Sequence, residues 1–545
     1  MAQNLFSIQK NKEEWKDILA QLDEKKIPKA IKTAFQEEGY SLAGNTKIEV
    51  KHKGQSWLFV EEDRHYLLDY YPRKEKAWVY GIAGKPAVGA ILENVEALLV
   101  ALIFALLIRH FTLEAFVIPT GSMAPTLLGI HAQVTCPNCH YSFSVGNPSF
   151  EPGQSSRTLD LVCPNCLLGS QKSLFQKQIR RKDLRGGDKI LVNKFYYLWK
   201  KPKRWDVIVF LSPQKHHKNF IKRLVGLPGE TLQIFHGDLF RKNPKTGKME
   251  ILRKPDSVQK HLWMNVYNSA YLEEKKNRII WETPKEEVEE KLLKETACTE
   301  CDQVVYQDVR FQWQGNQLNA DCTKKKGVLK FHRPIYNIYG YNRALRGGNL
   351  VGDIRCTFEG KFSSQGRIVV DLSRPLKRFQ VKMDFKAKKI ILYEGAWKEE
   401  KILEKPFPVS AEKWHHYDIA HVDGQIWLKV DGIEKIRYLY PSPLTVEDED
   451  QQRFWLKFRF FQSQVNLRKL HIYRDIHYTD SLSNFGVNEP VTLKQDEYFA
   501  LGDNSPNSQD SRDWGPVPAK NLLGRAFIVF WPAIPYFDWK VRWIR

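Results

Sequence analysis

From about residue 330 to 477 the chain alternates apolar and polar residues with few breaks. The pattern runs through RIVVDL (367–372), FQVKMDF (379–385), KIILYEG (389–395), YDIAHV (417–422), QIWLKV (425–430), FWLKFRFF (454–461) and LRKLHIY (467–473). A period of two puts successive side chains on opposite faces of a strand, so these segments read as strands rather than helices. Turn signals such as Asp423-Gly424 and Asp431-Gly432 separate them. Many short strands joined by regular turns predict a β-sandwich or jelly roll over 330–484, within a chain that is mainly β overall.

The full 545 residues exceed one ordinary core, so several domains are expected. Residues 11–38 read as helical, with Trp15, Ile18, Leu19 and Leu22 forming one apolar stripe. After them KIEVKHKGQSWLFVEE and HYLLDYY alternate as strands, which gives a small α+β module over 1–86 to which no function attaches. Residues 241–329 read as a charged connecting insert, helical around PKEEVEEKLLKET. A net charge of +21 favours polyanionic partners, either nucleic acid or anionic lipid. No basic recognition helix or RNP-type aromatic motif is present, so nucleic acid is not an expected partner.

The chain opens on a polar, amphipathic stretch without the apolar core of a signal peptide. The uninterrupted apolar run Ala97–Ile108 is short for a membrane span, and lengthening it takes in Glu93, Asn94 and Glu96 or Arg109 and His110. Charges at the ends of a span can reach the interface, so a transmembrane helix over 87–112 is expected. Arg73, Lys74, Lys76 and Lys85 before it favour a cytoplasmic N-terminus.

Six of the eight cysteines fall in three C-x-x-C pairs. Cys136-Pro137-Asn138-Cys139 and Cys163-Pro164-Asn165-Cys166 repeat one motif with 23 residues between them. They resemble the two knuckles of a zinc ribbon within an insert over 131–187, and four thiolates suit a closed structural zinc site. Two disulfides are the alternative if this part of the chain faces oxidising conditions. The third pair, Cys298/Cys301, has no matching partner pair; Cys322 and Cys356 stand alone.

Three further segments carry candidate chemistry. IPTGSMAPTLLG (118–129) places Ser122 just beyond the apolar run. NFIKRLVGLPGE (219–230) places Lys222 in an alternating strand, on the same side as Phe220 and Leu224. A lysine held in such an apolar site loses part of its preference for the ammonium form and can serve as general base to a serine. ALGDNSPNSQDSRDWG (500–515) is dense in turn formers and small polar groups.

Taken in order, these segments resemble the type I signal peptidase family. The boxes are Ser122-Met123-Ala124-Pro125-Thr126-Leu127, Asp188-Lys189-Ile190-Leu191-Val192, Lys222-Arg223-Leu224-Val225-Gly226-Leu227-Pro228-Gly229, and Gly502-Asp503-Asn504 through Ser508 to Asp510-Ser511-Arg512. The resemblance covers roughly 90–130, 185–240 and 485–532, and implies a catalytic core over 113–240 plus 485–545. It implies Ser122 as nucleophile, Lys222 as general base, and an oxyanion hole made by the Ser122 backbone N–H and the Thr120 hydroxyl. Ser508 would orient Lys222, and Asp503, Asp510 and Arg512 would brace the loop. No cofactor is implied for catalysis. The implied substrates are preproteins cut after small residues, at A-x-A sites, on the extracytoplasmic side of the cell membrane.

Over 330–484, WHHYDIAHVDGQIWLKVDG (414–432) is similar to the strand pair of concanavalin-like, laminin-G-like jelly rolls, which implies an accessory module with a glycan or protein ligand. Two other classes compete. One is a membrane-tethered receptor with a dead protease core, against which Ser122, Lys222 and Ser508 all speak. The other is a self-cleaving repressor with a serine–lysine dyad, against which the apolar segment speaks.

Overall fold

A computed structural model describes residues 46–50, 56–61, 64–71, 76–82 and 95–103. From 113 to 544 it describes all but 151, 170–174, 215–217, 272–280, 283–308, 310, 332, 343–348, 375–376, 396–399, 442–455, 480–484 and 532–541. The expected helices at 11–38, the helical stretch near 284–296 and the pair Cys298/Cys301 lie outside these residues. The chain divides into two units, Met1–His110 and Phe111–Arg545.

In the first unit, Thr46–Val50, Ser56–Glu61, Arg64–Tyr71 and Lys76–Ile82 form an antiparallel meander in sequence order. Residues 95–103 are helical, with Leu98, Leu99, Val100, Leu102 and Ile103 exposed. No helix among the described residues is long and apolar enough to cross a membrane. Most of the span expected at 87–112 lies outside them.

The second unit is built from antiparallel sheets. The sheet that carries the candidate site runs in the order Val517–Pro518, Glu497–Leu501, Asn219–Gly226, Val207–Leu211, Leu522–Trp531, Lys189–Asn193 and Leu113–Val117. Strand Asn219–Gly226 is therefore interior, paired to Val207–Leu211 on one side and Glu497–Leu501 on the other. One face packs Ile208, Phe210, Leu224 and Ala500, with Phe220 and Trp514 against them. The other packs Met123, Leu127, Val207, Val209 and Val529. A chain with both faces covered reads as the near-continuous apolar runs VIVFL and RLVG rather than as clean alternation.

The sandwich consists of two large sheets around a common apolar core. One includes Ile354–Phe362, His415–Val422, Gln425–Val430 and the long strand Ser463–Arg474. The other includes Gly327–Phe331, Arg367–Arg374, Lys377–Asp384, Lys389–Glu394 and Leu456–Phe461. The alternation read from the sequence is visible at Leu456–Phe461, where Leu456, Phe458 and Phe460 are buried and Lys457, Arg459 and Phe461 are half-buried. Met264–Asn268, Gln312–Gln314 and Gln317–Cys322 also join the first sheet, so the sheets take in strands from the stretch expected as a connecting insert.

Buried ion pairs tie the sandwich to the strands around the site. Lys254 Nζ lies 2.6 Å from Asp423 and 2.8 Å from Asp475. Arg374 pairs with Asp353 at 2.9 Å and with Asp238, which sits on the hairpin strand Asp238–Lys242. Breaking such a pair strands a buried charge, so the network fixes one arrangement of the two parts.

Candidate active site

Ser122 sits in a turn whose ends are held by Asp188. The Ile118 N–H donates to the Asp188 carbonyl at 2.9 Å, and the Leu128 N–H donates to its carboxylate at 2.9 Å. The sequence singled out Asp188 only as part of a box; its role is to anchor the nucleophile turn. Within that turn Met123 and Leu127 are buried in the sheet core, which leaves Ser122 only partly covered.

Lys222 reaches this serine from the interior strand. Its Nζ donates to Ser122 Oγ at 2.8 Å. The side chain is 2% exposed, and Phe220 on the same face of the strand places its ring centroid 5.5 Å from Nζ. Burial lowers the lysine's pKa from 10.5 to about 8; Asp510 and Asp503 work against that shift and Arg512 with it. A lysine so placed is partly neutral near pH 8 and can accept the proton of Ser122.

The next residue points to the opposite face and does different work. Arg223 Nε and Nη2 each donate to Asp503 at 2.7 Å, a two-pronged pair with both side chains fully buried. Burial works against the Arg223 charge, and the Asp503 carboxylate outweighs it, holding the guanidinium above its ordinary value. The Thr126 hydroxyl also donates to Asp503, which joins the nucleophile turn to the 502–512 loop. Asp503 was expected as a brace; Arg223 and Thr126 as its partners were not foreseen.

Asp510 braces the other end. It accepts the Gly502 N–H at 3.0 Å, caps helix Ser511–Trp514 and pairs with Arg512 at 2.9 Å. Arg512 in turn donates to the Ser505 hydroxyl at 2.7 Å and the Ser505 carbonyl at 2.8 Å. Between the braces the loop turns onto Ser122. The Asn504 N–H donates to the Ser122 carbonyl at 3.0 Å, and Asn504 Nδ2 donates to the Gly121 carbonyl at 2.9 Å. A Cβ on Gly502 would lie 2.6 Å from the Ser122 carbonyl oxygen and 2.1 Å from Ser508 Oγ, so only glycine permits this approach.

Ser508 is thus brought to the site. Its hydroxyl is buried and makes no hydrogen bond among the described residues, so the expected bond to Lys222 is not formed in this arrangement. Thr120 is exposed. Neither its hydroxyl nor the Ser122 N–H donates to another described group.

The four cysteines also converge. Cys136 Sγ lies 3.6 Å from Cys166 Sγ, and Cys139 Sγ lies 3.6 Å from Cys163 Sγ. All four sulfurs lie within 4.8 Å of one another and are free rather than disulfide-bonded. The two knuckles share one backbone form: the His140 N–H donates to the Cys136 carbonyl and the Leu167 N–H to the Cys163 carbonyl, with φ of 57° and 58° at His140 and Leu167. Four thiolates around one zinc at ~2.3 Å stand about 3.8 Å apart, so the cage fits that ion. Half-buried Arg333 lies close enough for its charge to interact with Cys166, Cys163 and Cys139, which suits a centre carrying excess negative charge. Cys322 and Cys356 are buried separately in the sandwich core.

The family described as signal peptidase, peptidase S26, matches residues 171–312 and 443–531. Lys222, Asp503, Ser508 and Arg512 fall inside the match, and Ser122 precedes it. A probable signal peptidase I-2 of Synechocystis is 58% identical over 43 residues, 8% of this chain and 20% of that protein. The probable signal peptidase I-1 of Synechocystis is 26% identical over 172 residues, 30% of this chain and 59% of that protein. A probable thylakoidal processing peptidase 2 of Arabidopsis thaliana is 46% identical over 44 residues, 8% of this chain and 12% of that protein. The chain therefore spans from about an eighth to three fifths of the length of these relatives. Over these stretches the chain is similar to peptidases of the signal peptidase I kind. Among solved structures, the laminarinase catalytic domain of Thermotoga maritima is 9% identical, covering 39% of this chain and 98% of that one with a TM-score of 0.28, too low to carry an argument.

Proposed function

We propose that the protein is a membrane-tethered serine endopeptidase that removes signal peptides from exported preproteins through a Ser122/Lys222 dyad. The observation that carries this reading is the buried Lys222 amine donating to Ser122 Oγ at 2.8 Å, with a pKa lowered to about 8. Once neutral, Lys222 takes the Ser122 proton as Oγ bonds to the scissile carbonyl carbon. The Ser122 N–H and the Thr120 hydroxyl stabilise the oxyanion. The tetrahedral species collapses, the C–N bond breaks, and Lys222 returns the proton to the departing amine. A water then loses its proton to Lys222 and attacks the ester; the C–Oγ bond breaks, Ser122 Oγ takes that proton back from Lys222, and the signal peptide leaves as its acid. Ser508 would orient Lys222 during these transfers, as the sequence resemblance implies. Cleavage after small residues at A-x-A sites follows the sequence resemblance.

Membrane placement, with an N-terminus in the cytoplasm and the site on the extracytoplasmic side, is supported by the apolar run at 97–108 and by a second surface. Leu198 and Trp199 are 75% and 83% exposed, beside Lys194, Lys200 and Lys201, a composition suited to an anionic lipid surface. Cys136, Cys139, Cys163 and Cys166 would hold a structural zinc that braces the insert and takes no part in hydrolysis. Contacts of the sandwich with the nucleophile turn favour a role within the peptidase over a separate glycan- or protein-binding role.

The test is cleavage of a preprotein with an A-x-A site by the purified chain in detergent, beside Ser122→Ala. Processing after that site by the wild type alone is expected. Equal processing by both, or none by either where a related peptidase cuts, would overturn the reading.

A further inference from the structure

The nucleophile turn is held from two sides, and one of them belongs to the insert. The segment 333–342 leaves the sandwich and ends in a short helical turn, Gly340–Asn342. Arg333 at its start donates to the Asn165 carbonyl, between the two cysteines of the second knuckle, at 2.6 Å. Asn337 donates to the His477 carbonyl at 3.3 Å, and the rings of Tyr339 and Tyr341 stack at 5.8 Å. The tip is therefore anchored before it reaches the site.

At the tip, Asn342 and Asn504 exchange side-chain hydrogen bonds, each Nδ2 donating to the other's Oδ1 at 2.7 Å. Both residues are buried. Asn504 Nδ2 also donates to the Gly121 carbonyl, so both of its protons are used, one by Gly121 and one by Asn342. If the Asn504 amide turned over, its oxygen would face the Gly121 oxygen, and Asn342 would lose a donor and an acceptor together. Asn507 Nδ2 donates to Asn342 Oδ1 at 3.4 Å and fixes that amide, so Asn342 does not turn with Asn504 and selects the orientation in which Asn504 grips the peptide preceding Ser122. Tyr341 closes the same peptide from beside: a Cβ on Gly121 would lie 1.9 Å from its ring.

We propose that Asn342 is a positioning residue for Ser122, acting through Asn504, so that the inserted module is an integral part of the peptidase centre. This rests on the serine–lysine reading above. Asn342 touches neither Ser122 Oγ nor Lys222, so its effect falls on the geometry of attack and not on the proton acceptor.

The experiment uses the full chain in detergent with an A-x-A preprotein, comparing wild type, Asn342→Ala, Asn342→Asp, Asn504→Ala and Asn342→Ala/Asn504→Ala. Misplacing a nucleophile by a fraction of an ångström predicts a fall in kcat of about tenfold or more for Asn342→Ala, with KM within about twofold. Asn342→Asp keeps the shape and the acceptor but sets a second oxygen against Asn504 Oδ1; it should fall as far. The double variant should be no slower than Asn504→Ala alone, and the acid limb of the pH profile should stay where the wild type has it. Unchanged kcat in both Asn342 variants would overturn the proposal. So would a double variant slowed by the product of the single effects, or a shifted acid limb. Thermal melting of each variant separates misfolding from mispositioning: if Asn342→Ala does not fold, Asn342→Asp decides on the same criteria. Equal cleavage by wild type and Ser122→Ala would instead remove the underlying peptidase reading, whatever Asn342 does.

Discussion

Replacing Lys222 by methionine should abolish cleavage and stabilise the fold at once. The lysine is buried, and burial lowers its pKa from 10.5 to about 8. The folded protein therefore binds fewer protons than the unfolded chain between about pH 8 and 10.5, and its stability rises with pH across that window. Below pH 8 the folded state carries a buried ammonium at a cost of about 3 kcal/mol, from about 1.4 kcal/mol for each tenfold change in proton affinity. Methionine, similar in length and apolar, escapes this cost but forgoes the bond to Ser122, worth about 1 kcal/mol. Lys222→Met should thus be more stable than wild type by about 2 kcal/mol at pH 7, with the advantage gone by about pH 9.5. The same pKa sets the activity profile. The neutral share of Lys222 is roughly one tenth at pH 7 and nine tenths at pH 9, whereas an ordinary lysine would be neutral in roughly one molecule in 3,000 at pH 7. Urea melts of both proteins at pH 7 and 9.5, with kcat/KM of the wild type across pH 6–10, check both consequences. A destabilised Lys222→Met at pH 7 that melts as one cooperative unit, or an activity flat from pH 6 to 9, would refute the argument.

Other consequences are independent of the lysine's titration. Arg223→Met leaves Asp503 charged and unpaired in the interior, so it should cost about 3–5 kcal/mol in urea melts; a loss below 1 kcal/mol would show the pair to be dispensable. The purified chain should contain one zinc by elemental analysis, and Cys163→Ser should lose it and melt earlier; full zinc content in that variant would refute the four-thiolate assignment. Ser508→Ala should lower kcat by about tenfold without abolishing cleavage, if its hydroxyl orients the lysine in the substrate complex; an unchanged kcat would assign Ser508 to packing alone.

The parts of this site that were legible in the sequence are those with short-range signatures. Ser122 sits between Gly121 and Met123 just beyond an apolar run, Lys222 breaks an apolar strand, and the Gly502–Arg512 stretch is dense in turn formers. Each signal is contained in a dozen residues. The partners they acquire are not. Arg223 and Asp503 are 280 residues apart, and Asn342 and Asn504 are 162 apart. A lone arginine after a lysine, or one asparagine in a Tyr-rich segment, looks the same whether it faces solvent or a buried partner. The sandwich was legible for the same local reason, since alternation reports a two-faced strand. Where it begins was not, because Met264–Asn268 and Gln317–Cys322 are short strands whose membership depends on pairing with the distant strand Ser463–Arg474. The cysteine cage lies between these cases: the repeated C-P-N-C was visible, and only folding brings four sulfurs into one cluster.

The most direct test of the central claim is to catch the covalent intermediate. Wild-type protein mixed with excess A-x-A preprotein and quenched in acid within one turnover should carry the signal peptide less one water. Peptide mapping should place that adduct on Ser122, with none on Ser122→Ala or Lys222→Ala. Steady cleavage by Ser122→Ala, or an adduct mapping to any other residue, would contradict the account.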